Sequence, residues 1–189
     1  MKILWHANSP WTQTGYSVQT DIVTRWLKRH GHEVYIAGFH GHSGAILRFN
    51  DIPVLPSSLE QWGNDVILAH YDFYRPDVYF MLMDSWVVNK HVLDALPASN
   101  WTPVDSTPIS PPVFETLTHV RWPVAMSRHG ERQMRFAGLD PLYVPHMIET
   151  DVFKPMDRMQ ARATYGFSEG QFVAVIVVIA DTPPERGPR

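Results

Sequence analysis

The sequence predicts an α/β fold: a Rossmann-like, doubly wound parallel sheet in a single domain, with an orphan strand near the C-terminus. Three observations predict it. A strand, a loop, a helix and a second strand follow one another from the first residue, which is the βαβ pattern. Apolar strands and helical segments then alternate along most of the chain. Near its end the chain carries a β-branched apolar run of the kind found in buried parallel strands.

The first βαβ unit has the clearest signals. Residues 2–7 form a short apolar strand, and residues 8–15 form a polar loop. In residues 16–30, apolar side chains recur at the spacing of one helical face: Val18, Ile22, Val23, Trp26 and Leu27. Gly31 stands where the C-terminus of a helix favours glycine, and residues 32–39 return as a strand.

The later elements follow the same alternation. Strands are predicted at residues 46–55 (an irregular pair interrupted by Pro53), 66–69, 78–83, 102–104 and 124–126. Helices are predicted at residues 85–96, after Ser110 with prolines in the first turn, and after Ser127 as far as Phe136. This series fills one Rossmann-like domain, residues 1–168, which is an ordinary domain size.

Residues 169–189 are predicted to be the truncated start of a second domain. The apolar run at residues 172–180 has the form of a buried parallel strand, which needs neighbouring strands and covering helices. The nine residues after it are too few to supply them. We therefore expect this strand to pair with a second copy in a homodimer, or to fold back onto the first domain.

Composition excludes several classes of protein. With 44% hydrophobic and 19% charged residues, the chain of 189 residues is a core-forming protein. A formal net charge of −3 gives no electrostatic case for nucleic acid or an anionic membrane as a partner. Its lack of cysteine excludes disulfides, thiolate chemistry and cysteine metal sites, and fits a cytoplasmic protein. The N-terminus has too short an apolar stretch for a signal peptide.

The candidate ligand-binding residues follow from the predicted topology. Ligands of open α/β sheets bind at the carboxyl ends of the strands. In this sequence those ends carry a loop, S-P-W-T-Q-T-G-Y, that includes Gly15 and Tyr16 and leads into the first helix. The other candidates are His70, Asp84, Asp105, Ser127 and Arg128. The free N–H groups of the helix suit a phosphate or a sugar hydroxyl, although the loop is neither G-x-G-x-x-G nor a P-loop.

Each candidate also has a purely structural interpretation. In that interpretation Gly15 permits a tight turn, and Asp84 caps the following helix. Asp105 stabilises a turn, and His70 is a structural residue whose hydrogen bonds are made within the fold. The functional alternative for His70 is a hydrogen-bond donor to substrate or a base. No catalytic residue can be assigned. The ten histidines lack the spacing of metal ligands, so we expect neither a metal nor a cofactor.

In its order of motifs the chain resembles the amino-terminal half of a GT-B-fold retaining glycosyltransferase of the family 4 type. K-I-L-W-H-A-N-S-P-W-T-Q-T-G-Y is similar to the opening strand and glycine loop of the family, although only Gly15 stands where GG or GxG is usual. D-V-I-L-A-H is similar to the strand that ends in the family's functional histidine, here His70. V-A-M-S-R-H-G-E-R-Q-M-R-F-A-G is similar to the family's strand and helix, with Ser127 at the serine.

The most specific part of the resemblance is Y-V-P-H-M-I-E-T-D-V-F-K-P, which is similar to the family's interdomain segment, with Met147 where glycine is usual. The resemblance implies an acceptor-binding half of an enzyme that transfers a sugar from a nucleotide-sugar. It also implies that most of the donor site belongs to a second domain beyond this sequence. We therefore expect the isolated chain to be inactive, to bind a nucleotide-sugar weakly beside a sugar or other acceptor, and to need a complementing chain. The alternative is a non-catalytic binding or assembly module.

Overall fold

The computed structural model describes residues 1–57 and 59–176. The chain divides into two compact units, Met1–Glu149 and Thr150–Arg189. The boundary predicted between residues 168 and 169 stays a prediction. No helix in the described part of the chain is long and apolar enough to cross a bilayer.

The described residues of the first unit form eight strands, five α-helices and one 3₁₀ turn. The strands are β1 (Lys2–Ala7), β2 (Glu33–Gly38), β3 (Leu47–Phe49), β4 (Ile52–Leu55), β5 (Val78–Leu82), β6 (Ala98–Thr102), β7 (Trp122–Ala125) and β8 (Leu142–Tyr143). The helices are α1 (Gly15–Arg29), α2 (Ile67–Tyr74), α3 (Lys90–Ala95), α4 (Pro111–Leu117) and α5 (Arg128–Phe136), and the 3₁₀ turn is Ser85–Val87.

The strands form one sheet in the order β3-β4-β2-β1-β5-β6-β7-β8. β1 lies in the middle and is parallel to both β2 and β5, with Leu4 opposite Tyr35 on one side and Tyr79 on the other. All neighbouring pairs are parallel except β3 and β4, which form an antiparallel hairpin at one edge. This topology confirms the predicted Rossmann-like α/β fold.

Helices cover the two faces of the sheet unequally. On one face, Val23 of α1 packs in an apolar cluster with Trp5 and Ile36 of the central strands. On the other face, four helices contribute buried apolar side chains to a second cluster: Ile67 of α2, Leu93 of α3, Leu117 of α4 and Met134 of α5. Successive residues of a strand point to opposite faces, so neighbours such as Leu4 and Trp5 belong to different clusters.

An apolar cavity of about 600 Å³ lies on the α1 face of the sheet. Much of its wall comes from the strands: Trp5, Phe80, Trp101, Trp122, Val124 and Leu142. Two indole N–H groups in this wall are bonded within the chain. Trp5 Nε1 donates to Thr20 Oγ1 at 3.2 Å, and Trp101 Nε1 donates to the carbonyl of Val144 at 2.8 Å. These two N–H groups of the wall therefore need no hydrogen-bond partner from a molecule that contacts it.

The buried face of helix α1 differs from the face that the sequence predicts. Of the five apolar residues that define the predicted stripe, only Val23 is buried, while Val18 and Trp26 are 53% and 41% exposed. Polar side chains take the inner positions because each finds a partner there. Thr20 accepts the Trp5 indole bond, and Gln19 pairs with the backbone of Met147 through bonds of 2.7 and 2.8 Å.

The predicted strand at residues 66–69 is wrong, because these residues begin helix α2. A short apolar run cannot be assigned to strand or helix by periodicity alone. The helix is favoured here because Ile67, Tyr71 and Tyr74, spaced i, i+4 and i+7, all pack on the core. β4 holds the sheet position beside β2 instead.

Two other predicted elements are shifted or broken. The helix predicted at residues 85–96 is divided, because Val88 and Asn89 have extended backbone between the 3₁₀ turn and α3. The strand predicted at residues 102–104 lies at Ala98–Thr102 instead. β8 adds a short parallel strand at the sheet edge that was not predicted.

The second unit is described through residue 176. Its helix α6 (Arg158–Thr164) is capped by Asp157, whose Oδ1 accepts from the Gln160 N–H at 2.8 Å. Residues 172–176 carry no regular secondary structure, and Phe172 is exposed. Residues 177–180 of the predicted orphan strand lie outside the described residues, so pairing through that strand stays a prediction.

Candidate functional site

The topology places a switch point between β1 and β5. From β1 the chain continues to β2 and then to the β3–β4 edge, and it returns to β5 before continuing outward through β6, β7 and β8. In sheets of this type the loops at the carboxyl ends of the two strands diverge at the switch point and leave a crevice that binds ligands. The loop after β1 and the loop after β5 therefore frame the candidate site, which we call the switch-point crevice.

Hydroxyl groups organise the loop after β1. Thr14 has extended backbone at the N-cap of α1, and its Oγ1 accepts from the Ser17 N–H at 3.1 Å. Asn8 Nδ2 donates to the same Oγ1 at 2.7 Å, and Thr12 contacts Ser17 through their hydroxyls. These bonds fix the loop in front of the 15-residue helix α1, whose first N–H groups have no partner within the helix.

Gly15 is the first residue of α1 and is exposed. Its φ is outside the left-handed region, and a Cβ added to it would meet nothing within 4 Å. Neither a tight turn nor close packing therefore requires glycine at this position. Because glycine has no side chain, residue 15 does not obstruct the N-terminus of α1.

Tyr16 lies in the first turn of α1, and Asp84 follows β5 on the other side of the switch point. Both are half-buried. Burial raises the pKa of the Tyr16 phenol to about 12, and the charge of Asp84 adds to this shift. The phenol thus keeps its proton, and can donate a hydrogen bond, at neutral pH.

Asp84 holds the N-cap position of the 3₁₀ turn, but its side chain makes no capping bond. Burial raises the pKa of its carboxyl group, and the nearby charge of Asp105 contributes in the same direction. Asp105 is exposed in the loop after β6, the strand next to β5. Asp84 and Asp105 thus follow two neighbouring strands, β5 and β6, while Tyr16 lies in the first turn of α1, after β1.

The other predicted site residues are engaged in contacts within the fold. Ser127 Oγ caps α5 by accepting from the Gly130 N–H at 3.0 Å. Arg128 pairs with Glu131 at 2.8 Å, and its guanidinium carbon lies 3.8 Å from the centroid of the Tyr143 ring. Both residues follow β7, so they stand at the correct edge of the sheet, but their polar groups already have partners.

His70 does not end a strand, which corrects the prediction. It lies within α2, and its Nε2 is 3.0 Å from the carbonyl oxygen of Pro56. This contact joins the helix to the segment after β4. The structural interpretation of His70 is therefore the one that its geometry favours.

A histidine that the sequence analysis did not select lies at the end of β1. His6 is buried, and its Nδ1 lies 2.6 Å from the Tyr79 hydroxyl. Burial lowers the pKa of His6 to about 3, an effect that outweighs the opposing backbone contact at Trp62. The sequence did contain a signal for this burial, because His6 lies two residues after Leu4 and therefore on the same face of β1.

Two buried hydroxyls flank the switch point without a partner in the described chain. Ser9 Oγ follows β1 and Ser85 Oγ follows β5, and both residues are fully buried. A buried polar group without a hydrogen bond costs about 1–3 kcal/mol, so such groups usually bond to water or to a ligand. Among the described residues, no three side chains of the metal-binding types converge.

Comparison with solved structures finds this fold elsewhere. The chain is similar to a sucrose-phosphate synthase from Thermosynechococcus elongatus, with a TM-score of 0.64 and 9% sequence identity, over 88% of this chain and 52% of that one. The chain thus spans about half the length of that structure. No protein-family profile matches the sequence, and no curated protein does. The similarity shows a glycosyltransferase-like fold.

Proposed function

We propose that this chain is the acceptor-binding half of a GT-B enzyme of the retaining family 4 type, one that transfers a sugar from a nucleotide-sugar. The observation that carries the proposal is the placement of Tyr16, Asp84 and Asp105 after β1, β5 and β6, on both sides of the switch point of a glycosyltransferase-like sheet. A phenol donor and two carboxylate acceptors suit the hydroxyl groups of a sugar. The open N-terminus of α1 suits the anionic part of a nucleotide-sugar.

The groups present in this chain decide which of the two substrates it is proposed to bind. Stabilising a departing nucleoside diphosphate needs cations or several convergent N–H groups, and positioning the donor sugar needs further contacts. Arg128, the basic residue that follows β7, is already paired with Glu131. The proposal therefore assigns the donor site to a complementing domain, in the same polypeptide or in a separate chain.

Activity gives the first test. We expect the 189-residue chain to transfer no sugar from UDP-glucose or GDP-mannose to an acceptor, because positioning and charge stabilisation supply most of the rate enhancement. Product formation followed by mass spectrometry checks this. Turnover by a homogeneous, mass-verified preparation would contradict the assignment of the donor site to another domain.

Binding at the helix N-terminus gives a second test. We expect UDP-glucose to bind more weakly than micromolar, and Gly15→Leu to reduce the binding further by obstructing α1. The same substitution should change the free energy of unfolding by less than about 0.5 kcal/mol, since a Cβ at this position contacts nothing. Calorimetric titration and urea unfolding measure the two effects. A micromolar affinity that Gly15→Leu leaves unchanged would place the nucleotide-sugar elsewhere.

A specific observation favours the alternative, a non-catalytic binding module. Three of the seven predicted site residues, His70, Ser127 and Arg128, have partners within the fold. If Asp84→Asn and Tyr16→Phe leave every sugar and nucleotide titration unchanged, this alternative becomes the better account of the fold.

A further inference from the structure

The segment that ends the first unit leaves the sheet at Val144. The Val144 N–H donates to the carbonyl of Ala125 at 3.0 Å, which extends the pairing of β7 with β8 by one residue. The Val144 carbonyl accepts from Trp101 Nε1 at 2.8 Å. Beyond this point the first unit continues without regular secondary structure as far as Glu149. Contacts other than strand pairing therefore hold its last residues.

Helix α1 holds this continuation at Met147. The Gln19 side chain uses both ends of its amide there. Its Oε1 accepts from the Met147 N–H at 2.7 Å, and its Nε2 donates to the Met147 carbonyl at 2.8 Å. One side chain thus satisfies both backbone groups of Met147, as a neighbouring strand would. Gln19 is only 6% exposed, so an apolar residue in its place would leave two partly buried backbone groups unpaired.

A second contact from the same helix is weaker. Arg25 lies 3.2 Å from Glu149, but it also donates to both carboxylate oxygens of Asp21, at 2.7 and 2.9 Å. The side chains of Arg25 and Glu149 are 30% and 48% exposed, and ion pairs in contact with water contribute little to stability. Gln19 therefore provides the main attachment of the segment after Val144.

We propose that Gln19 is the anchor of a pivot. It fixes the chain on α1 at Met147, so that rotation of the second unit takes place within residues 150–157, which are exposed and contain neither helix nor strand. The inference goes beyond the proposed function, because it concerns the exit of the chain from the first unit and not a ligand.

The position of the anchor on α1 has a consequence for the crevice. Gln19 lies one helical turn after Gly15, so one rigid helix carries both the candidate binding end and the anchor. Rotation within residues 150–157 then leaves the start of α1 undisturbed. If the function proposed above is correct, a complementing domain that follows the pivot meets the start of α1 at a constant distance from the anchor.

Amide exchange tests the anchor. Gln19→Met keeps the length and helix propensity of the side chain and removes both polar atoms. We expect it to speed exchange of the Met147 amide about tenfold under native conditions, while the Val144 amide changes little. Gln133→Met in α5 is the matched control, because the Gln133 side chain makes no hydrogen bond within the described residues. An unchanged Met147 rate, or equal acceleration at Val144 and in the central strands, would overturn the proposal.

Distance measurements test the pivot. The chain contains no cysteine, so spin labels attach only at cysteines that are introduced. Asp72→Cys in α2 and Gln160→Cys in α6 place one label on each unit, at exposed positions. We expect Gln19→Met to broaden the distribution of label distances measured by pulsed EPR. Gln19→Glu, which loses only the donor, should broaden it less, and Gln133→Met should leave it unchanged.

The outcomes decide between an anchor and an ordinary packing contact. A distance distribution that Gln19→Met leaves unchanged, although Met147 exchanges faster, would show that the orientation of the second unit does not depend on Gln19 and would overturn the pivot. If Gln19→Met does not fold, Gln19→Glu replaces it, and a variant equal to the unaltered chain in both measurements overturns the proposal. The binding of UDP-glucose is tested separately through Gly15→Leu, so either idea can fail alone.

Discussion

As the pH falls from 6.5 to about 3, the titration of His6 is expected to lower the free energy of unfolding by up to about 1.4 kcal/mol for each pH unit. The folded protein holds this imidazole neutral, since it is buried and its Nδ1 meets the Tyr79 hydroxyl at 2.6 Å. The unfolded chain lets it titrate at its ordinary value of 6.5. Protons therefore bind preferentially to the unfolded state within this window.

The sign of the effect follows from the lowered pKa. Above pH 6.5 both states are neutral at His6, and its contribution to stability is fully present. As the pH falls below 6.5, the unfolded state gains a proton that the folded state cannot accept, so the free energy of unfolding decreases. Below about pH 3 both states are protonated and the loss attributable to His6 is complete. The charge of His70 acts in the same direction, because it further lowers the pKa of His6.

His6→Gln isolates this effect, because glutamine keeps hydrogen-bonding capacity and does not titrate. Urea unfolding at pH 7.5, 5.5 and 4.5 should show a shallower loss of stability in this variant than in the unaltered chain. His119→Gln is the matched control, since His119 lies at the surface beside Asp94. An imidazole of His6 that titrates near 6.5 by NMR, or a slope unchanged by His6→Gln, would contradict the buried neutral state.

The sequence was sufficient for the fold where local signals agreed with one another. The strand predicted at residues 2–7 is Lys2–Ala7, and the helix predicted at residues 16–30 is Gly15–Arg29. Ser110 and Ser127 begin helices as predicted, the first followed by two prolines and the second with its hydroxyl capping the helix. At the helices the boundary was marked by a local signal, namely a serine or prolines at the start or glycine after the end.

The failures occur where tertiary contacts decide the structure. β6 contains Ser99, Asn100 and Thr102, all buried, so the strand lacks the apolar run by which a buried parallel strand is recognised. Asn100 is accommodated because its side-chain amide donates to the carbonyl of Met81 on β5 and to that of Met83, just after this strand. Such compensation depends on strand register, which a single sequence does not reveal.

The candidate site was likewise predictable only in part from the sequence. Its location at the strand ends follows from topology, and the sequence named Gly15, Tyr16, Asp84 and Asp105 at these ends. The engagement of Arg128 with Glu131 was readable as an i, i+3 pair of opposite charge on a helix. The contact between Arg128 and the ring of Tyr143 was not readable, because it depends on the unpredicted strand β8.

Phe73→Pro is expected to destabilise the first unit by about 3 kcal/mol or more. Phe73 lies in α2, where the N–H of residue 73 bonds to the carbonyl of residue 69 in an α-helix. Proline removes that bond, and its ring clashes with the same carbonyl. The loss extends to the core, because α2 holds Ile67 and His70 in place through burial and through the Pro56 contact.

The side chain of Phe73 offers a matched control for this backbone effect. It is 79% exposed, so Phe73→Ala should change the free energy of unfolding by less than about 0.5 kcal/mol. Urea unfolding of the two variants then separates loss of the helix from loss of the side chain. If residues 66–69 were instead a strand followed by a loop, proline at position 73 would cost little more than alanine. Equal stabilities of the two variants would therefore reject helix α2 and restore His70 to the end of a strand, where it would again be a candidate ligand-binding residue.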